Sequence, residues 1–493
     1  MADIELIDVS CRDGNQSNWS ATGLNTSQIV QIAPVMDRVG FRSLDFVSST
    51  AMGVSVRTFR ENPWSKNRLI SALMPNTPLQ LIGTGLRFIS WETQDDDFMR
   101  LVYRRLVASG ITRFAVLDPM LDFEAMRQSA RIIREEGGTE IVAALTYTVS
   151  SVHDDACYAR LAAEVAACPD MDRAYIKDPA GLLTPERART LIPAIIGNLG
   201  GKPLELHSHC TIGLAPYTYM VAAGLGVSTL HVALGPLANG SSLPSAMRVV
   251  ANLREHGHRV DINDHALKSA TSYFTRLAEA EGLPVGQPQD YDAAFIRHQV
   301  AGGVMTTTRR QLEEIKLGQR FDDVMFEVDK VRAELGYPIM VTPFPQIVCT
   351  QALFNVIGKE RYEQIPDQVI RYVLGLFGRP IAPIDPNVKD RILASPRARE
   401  IMAEPPAPSL AELRRKVGSH LSDDEFLLRA TMPSDQVDAM LAAPQPSGRY
   451  NPELVGLIRM VKAAAQRGDG QAVHHKTSHY TIELEPCSNR PFG

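Results

Sequence analysis

The sequence contains no run of about 18 apolar residues, so it offers no helix that could span a bilayer. Its opening, MADIELIDVS, lacks the basic stretch that precedes the apolar core of a secretory signal. Cysteine is scarce: six residues, at positions 11, 157, 168, 210, 349 and 487, with no CxxC pair. That pattern fits a reducing cytoplasm and argues against a cysteine-based zinc site. Positive charge is not in excess either. Lys and Arg number 51 against 56 Asp and Glu, a net charge of −5, so a nucleic-acid-binding surface is not suggested. What is present is ordinary: 44% hydrophobic and 22% charged residues, with 34 Gly and 32 Pro. This is the composition of a soluble globular enzyme and excludes a disordered, fibrous or coiled-coil chain. At 493 residues the chain exceeds one ordinary domain.

The first 235 residues alternate short apolar, β-rich runs with helical stretches. The runs are IELIDV (4–9), FRSLDFV (41–47), LQLIGTG (79–85), TRFAVLD (112–118), EIVAALTY (140–147), RAYIKD (173–178), PLELHSH (203–209) and TLHVAL (229–234). Their starts recur at the spacing of a βα unit. Between two of them, PERARTLIPAIIGNLG follows Thr184, a candidate N-cap, with Pro185 in the first turn and a glycine where the helix stops. Eight such units predict a (β/α)8 barrel, which needs about 250 residues. A doubly wound open sheet is the competing arrangement. After residue 270 long helical patterns dominate, including DHALKSATSYFTRLAEAEG, FDDVMFEVDKVRAELG and PDQVIRYVLGLFG. The expected organisation is a barrel over 1–270, a helical domain over 271–402 and a further helical segment over 403–465. A polar, mobile tail over 466–493 completes it.

Barrel enzymes carry their chemistry at the C-terminal ends of the strands. The seventh run ends in His207-Ser208-His209, and residues i and i+2 of a strand point the same way, so two imidazoles face the barrel mouth as candidate metal ligands. The first run leads into Arg12-Asp13-Gly14-Asn15-Gln16. Asp13 can add a carboxylate to the same metal, with Arg12 and Gln16 as donors to a substrate oxygen; a charged surface loop is the alternative. The sixth run ends in Lys177-Asp178. An unpaired buried ammonium is costly, so Lys177 is a candidate Schiff base, proton donor or carbamylated metal ligand, unless it simply pairs with Asp178. In a closed eight-stranded barrel, strands 1, 6 and 7 bring Asp13, Lys177, His207 and His209 to one place.

CRDGNQS, IKDPAGLL and ELHSHCTIG, in this order, resemble the carboxyltransferase component of biotin-dependent carboxylases. That family includes pyruvate carboxylase, the oxaloacetate decarboxylase α subunit and the transcarboxylase 5S subunit, the last being the nearest in the motifs. The resemblance covers roughly residues 4–440 and continues through HQVAGGVMTTTRRQL (298–312) and VTPFPQIVCTQALFNVI (341–357). It implies a barrel with a helical domain forming a funnel, and a divalent metal (zinc, cobalt or manganese) held by Asp13, His207, His209 and a carbamylated Lys177. It further implies Arg12 and Gln16 on the substrate's keto oxygen and Thr306 as the hydroxyl that shuttles a proton with biotin. The implied activity moves a carboxyl group between carboxybiotin and a keto-acid-like acceptor through a metal-stabilised enolate. No AMKM-like biotinylation sequence is present, so the resemblance implies biotin in trans, on a biotin carboxyl carrier protein charged by a biotin carboxylase subunit. A homodimer or larger cytoplasmic complex follows from the multisubunit relatives.

Three departures from the family pattern stand out. Asn15 replaces a histidine; Val47 to Gly53, VSSTAMG, lacks the family's tryptophan and aspartate; and Thr84 falls where the family keeps the arginine that grips the pyruvate carboxylate. Trp91 stands where the family has a tyrosine, and Arg87, three residues beyond Thr84, can substitute as a substrate-binding residue only if the loop shifts. Loss of a bidentate clamp is not conservative, so the expected acceptor is not bound as pyruvate usually is. The alternatives are a metal-dependent aldolase or acyl-transfer lyase on a related barrel, and a non-catalytic scaffold subunit.

Overall fold

Each apolar run predicted as a strand is a strand in the computed structural model: β1 (Glu5–Asp8), β2 (Ser43–Ser48), β3 (Leu79–Thr84), β4 (Ile111–Leu117), β5 (Glu140–Thr146), β6 (Arg173–Asp178), β7 (Leu204–Ser208) and β8 (Thr229–Val232). They pair in parallel in chain order, and β1 closes the barrel on β8 with Glu5 opposite Thr229 and Asp8 opposite Val232. Closure excludes the open sheet. The structure describes residues 2–89, 94–300, 302–314, 316–405, 407–444 and 446, together with two short strands, Val473–Lys476 and Thr481–Leu484, which pair antiparallel within the segment expected as a tail.

Parallel strands must be covered on both faces, and helices such as Asp96–Ala108, Phe123–Glu135 and Asp155–Ala167 lay their apolar stripes against the barrel. The helix predicted after Thr184 spans Pro185–Ile196; the Thr184 hydroxyl accepts the Arg187 amide at 3.2 Å. Such a cap contributes about 1 kcal/mol.

The barrel interior is less usual. Its N-terminal layer is charged and buried where branched aliphatic residues commonly sit. Arg113 on β4 donates to Glu140 (2.7 Å), Gln80 and Glu205, and Arg173 on β6 donates to Glu205 (2.6 Å) and Thr229 (2.7 Å). Above it lies a small apolar layer of Ile82, Ala115, Leu117, Val142, Ala144 and Tyr175.

Beyond the barrel, Asp264–Glu281 packs on its outside; the Tyr273 hydroxyl donates to the Gln28 carbonyl at 2.7 Å. A separate apolar core, with Val328, Phe344, Val348, Ile370 and Tyr372, joins Phe321–Glu334, Phe344–Ile357 and Asp367–Val373. Phe344–Ile357 is apolar nearly all round because other elements cover most of it. The last helices among the described residues, Asp423–Thr431 and Ser434–Leu441, return to the barrel: Phe426, Leu427 and Val437 join its core, and the Trp64 indole donates to the Asp424 carbonyl at 3.0 Å.

Candidate active site

β6 and β7 run in register with Lys177 opposite His207, which turns both side chains into the barrel mouth, and His209 repeats the direction two residues on. Asp13 arrives from β1 by a wide helical turn, Ser10–Gly14. That turn is pinned by Asp8, whose carboxylate accepts the Ser10 amide (3.1 Å) and hydroxyl (2.7 Å), while Ser10 Oγ accepts the Leu234 amide (2.8 Å) after β8. Gly14 packs closely there: a Cβ would lie 3.0 Å from the Leu237 carbonyl oxygen.

The four side chains meet around one oxygen. Asp13 Oδ2 lies 3.2 Å from His207 Nε2, 3.6 Å from His209 Nε2, 3.6 Å from Lys177 Nζ and 2.9 Å from Arg12 Nη1. His209 Nδ1 donates to the Ser241 carbonyl at 2.6 Å, which leaves its Nε2 lone pair facing Asp13. Asp13, His207 and His209 therefore offer one carboxylate oxygen and two imidazole nitrogens within 4.8 Å of one another, a donor set suited to zinc, cobalt or manganese. Burial opposes charge on Asp13, but the cations beside it, Arg12 first and then Lys177, hold its carboxyl well below the usual carboxylate range. Burial lowers the Lys177 ammonium, against the pull of Asp13 and with the push of Arg12. Burial, then the Lys177 charge, keeps His207 neutral. Pairing of Lys177 with Asp178 is excluded as its anchor: the Asp178 carboxylate accepts Ser208 Oγ (2.6 Å) and the amides of Leu182 and Leu183 (2.8 and 2.9 Å).

Arg12 is fixed from behind by Asp45 on β2, which accepts its Nε at 2.9 Å and also its Nη2. Burial works against the guanidinium charge, and Asp13 and Asp45 more than restore it. These residues floor a cavity of about 660 Å³ lined by Arg12, Gln16, Thr84, Arg87 and Lys177 from the barrel and by Phe295, Met340 and Thr342 from beyond it. Thr84 is at the mouth as expected. The chain then reverses at Gly85 (φ 52°), and Arg87 folds back so that its Nη1 lies 3.6 Å from where a Gly85 Cβ would stand and 3.9 Å from Asp118 Oδ2. Burial lowers the Arg87 guanidinium, with Asp118 opposing.

Of the other departures, Asn15 faces away from the cavity and accepts the Gly23 amide at 3.1 Å, whereas Ser48, Ser49, Thr50 and Gly53 line it. Thr306 lies on the helix Gly302–Glu314, but its side chain, like the whole of Trp91, is outside the described residues. Asp45, Asp118, Glu205 and His231 were not singled out from the sequence. Glu205 was the most accessible of them, since Glu205-x-His207-x-His209 places a carboxylate two residues below two candidate ligands on the same inward face.

Residues 295–452 match the family profile described as a conserved carboxylase domain. A pyruvate carboxylase subunit of Methanocaldococcus jannaschii is 33% identical over 79% of this chain and 68% of that one. This chain belongs to the biotin-dependent carboxylase family. The 2-oxoglutarate carboxylase large subunit of Hydrogenobacter thermophilus is 31% identical over 92% of this carboxyltransferase and 70% of that chain. The methylmalonyl-CoA carboxyltransferase 5S subunit of Propionibacterium freudenreichii is 27% identical over 78% and 76%. The nearness to 5S suggested by the motifs is thus corrected: identity to the Methanocaldococcus protein is higher. The carboxyl transferase domain of Rhizobium etli pyruvate carboxylase superposes with a TM-score of 0.81 over 98% of this chain and 83% of that one; at 23% identity this establishes the fold alone. Family membership makes the chain a carboxyltransferase and removes the support for the aldolase and scaffold alternatives. Among the described residues, no helix is long and apolar enough to cross a membrane.

Proposed function

We propose that this carboxyltransferase moves a carboxyl group between carboxybiotin, presented on a separate carrier protein, and the carbon next to the carbonyl of a 2-oxo acid. The observation that carries this is the convergence of Asp13, Lys177, His207 and His209 beneath a cavity that Arg12 enters from one side and the helical region closes from the other. Asp13, His207 and His209 would hold a divalent ion, with Lys177 as the fourth ligand once carbamylated, since carbamylation exchanges a repelled cation for an anionic oxygen. A bound divalent ion supplies Lewis-acid stabilisation of negative charge on the acceptor's oxo oxygen.

The chain's own groups supply the rest. Arg12, clamped between Asp13 and Asp45, is a preorganised cation beside that oxygen and needs no reorganisation as charge develops. Gln16, exposed at the cavity rim, adds an amide donor. Thr306, by the family resemblance, relays the proton lost from the acceptor carbon to the biotin nitrogen that gives up the carboxyl group. Arg87 takes the acceptor's carboxylate in place of an arginine at position 84. Its folded-back position beside Gly85 supports this, and the acceptor carboxylate would then sit differently from that of pyruvate on a clamp at strand 3. Biotin carboxylase and carrier subunits complete the reaction, and a homodimer or larger assembly in the cytoplasm is proposed for the whole.

The test is biotin-dependent decarboxylation of carboxylated 2-oxo acids by the purified chain. We expect carbon dioxide release that requires added biotin and a divalent ion. Carbon–carbon cleavage at equal rate without biotin would contradict the proposal. Among acceptors, Arg87→Ala should raise KM about 10- to 100-fold with a smaller change in kcat, the size of a lost charged hydrogen bond. Ordinary pyruvate efficiency in the wild type, unaffected by this variant, would remove Arg87 from the site.

A further inference from the structure

The two candidate ligand imidazoles are held differently. His209 donates to a backbone carbonyl, whereas His207 leans on a second histidine. His207 Nδ1 lies 3.1 Å from His231 Nδ1 on β8, and His231 Nε2 lies 3.0 Å from Glu205 Oε2 on β7. Both hydrogen bonds run through the interior of the barrel; His207 and His231 are each 1% exposed and Glu205 is 0% exposed.

The direction of the chain is fixed at its far end. The other carboxylate oxygen of Glu205 accepts hydrogen bonds from Arg113 and Arg173, so Glu205 is an anion with nothing to donate. His231 Nε2 must then carry the proton. In the neutral ring His231 Nδ1 is an acceptor, which makes His207 Nδ1 the donor and leaves the lone pair on His207 Nε2. That nitrogen points at Asp13 Oδ2 and lies 3.2 Å from His209 Nε2. Tyr175 locks the plane of the intermediate ring: it stacks on His231 with centroids 5.4 Å apart at 13°. In this orientation the His207 Nε2 lone pair can accept from Lys177 Nζ at 3.2 Å in the metal-free site, and it is the atom turned toward the place a divalent ion would occupy beside Asp13.

We propose that Glu205 and His231 are positioning residues that hold His207 in the single tautomer able to bind a divalent ion through Nε2. The proposal rests on the reading of Asp13, His207 and His209 as metal ligands. It goes beyond that reading by tying the metal site to the charged layer at the opposite end of the barrel. Ligand histidines whose second nitrogen is oriented in this way commonly bind metal about 10- to 100-fold more tightly than when the partner is removed.

Two variants separate a relay from mere packing. His231→Phe keeps an aromatic ring against Tyr175 but cannot accept from His207. His231→Gln has an amide oxygen to accept from His207 and an amide NH₂ to donate to Glu205. The measurements are affinity for Co²⁺ by chelator competition and the visible absorption of the cobalt protein, alongside the nitrogen shifts of ¹⁵N-histidine in metal-free wild type. We expect His231→Phe to lose about 10- to 100-fold in cobalt affinity and to shift the cobalt bands, His231→Gln to recover most of both, and wild-type His207 to be protonated on Nδ1. Unchanged affinity and spectrum in His231→Phe, equal losses in the two variants, or an Nε2-protonated His207 would each overturn the relay while wild type still binds cobalt. A wild-type protein that takes up no cobalt would overturn the ligand reading and the relay together. The ¹⁵N measurement needs no variant, so a misfolded His231→Phe leaves the proposal open to refutation.

Discussion

Arg87 and Asp118 face each other at 3.9 Å beneath the cavity, and the carboxyl is the more strained of the two. Burial pushes Asp118 from its ordinary 3.8 up to about 6, with the Asp122 and Met120 amides and Arg87 pulling it down only in part. The folded chain thus keeps this proton at pH values where the unfolded chain has lost it. The linkage sign follows: stability falls as pH rises from about 4 to 6 and is level above, by about 3 kcal/mol for a shift near two units. Asp118→Asn retains an oxygen for the Met120 and Asp122 amides and carries no charge. Urea unfolding should therefore show the variant equal to wild type near pH 4 and more stable by about 1–3 kcal/mol at pH 8. A difference independent of pH would mean that Asp118 does not titrate in this range. The same substitution removes the counter-ion of Arg87, so KM for the acceptor should fall if that guanidinium grips a carboxylate. Neither effect was legible in the sequence. Thr84 could be seen to break the family pattern, but the return of Arg87 depends on a reversal at Gly85 (φ 52°) that only the folded backbone reveals.

The strands and the loops that follow them were legible to different depths. The regular spacing of short apolar runs between helical stretches gave all eight strands, because a parallel barrel buries both faces of each strand. The two-residue period within a strand identified His207 and His209 as pointing the same way on β7. It says nothing of height along the barrel, so Arg113, Glu205 and His231 could not be joined into a column from the sequence. The loop after β6 shows what fixes the mouth. Asp178 gathers the Leu182 and Leu183 amides and Ser208, folding that loop against β7. Gly181 (φ 70°) sits so near that a Cβ would stand 2.5 Å from the His209 carbonyl oxygen. Gly181→Ala should therefore cost about 1–3 kcal/mol through backbone strain. It should also displace His209 and weaken divalent-ion binding while the helical circular dichroism stays native. Metal affinity equal to wild type, measured by chelator competition, would show that the loop does not position the ligand.

At the scale of the whole molecule, two cores cooperate on one cavity. The barrel supplies the candidate ligand atoms and Arg12, and the helical region supplies Phe295, Met340 and Thr342 at the rim. The barrel's own strength is uneven. Its mouth holds charges drawn together by the site, and its N-terminal layer buries Arg113, Arg173 and Glu205 in one network. Removing one partner from such a buried set typically costs about 3–5 kcal/mol, so Arg113→Met should destabilise the barrel far more than any exposed ion pair on the helical region. The resemblance to carboxyltransferases was legible from a few motifs because the chemistry concentrates at three strand ends. The acceptor was not, because the clamp proposed for it, Arg87, depends on the course of the loop after β3, which the folded backbone alone reveals.

The central claim is that Asp13, Lys177, His207 and His209 form a metal site on which carboxyl transfer depends. Metal content and biotin-dependent decarboxylation, measured on the same preparations of wild type and His209→Ala, test it most directly. The account predicts about one divalent ion per wild-type chain and the loss of ion and activity together in a folded His209→Ala protein. A variant that keeps its full metal content, or that keeps its activity without metal, would contradict it.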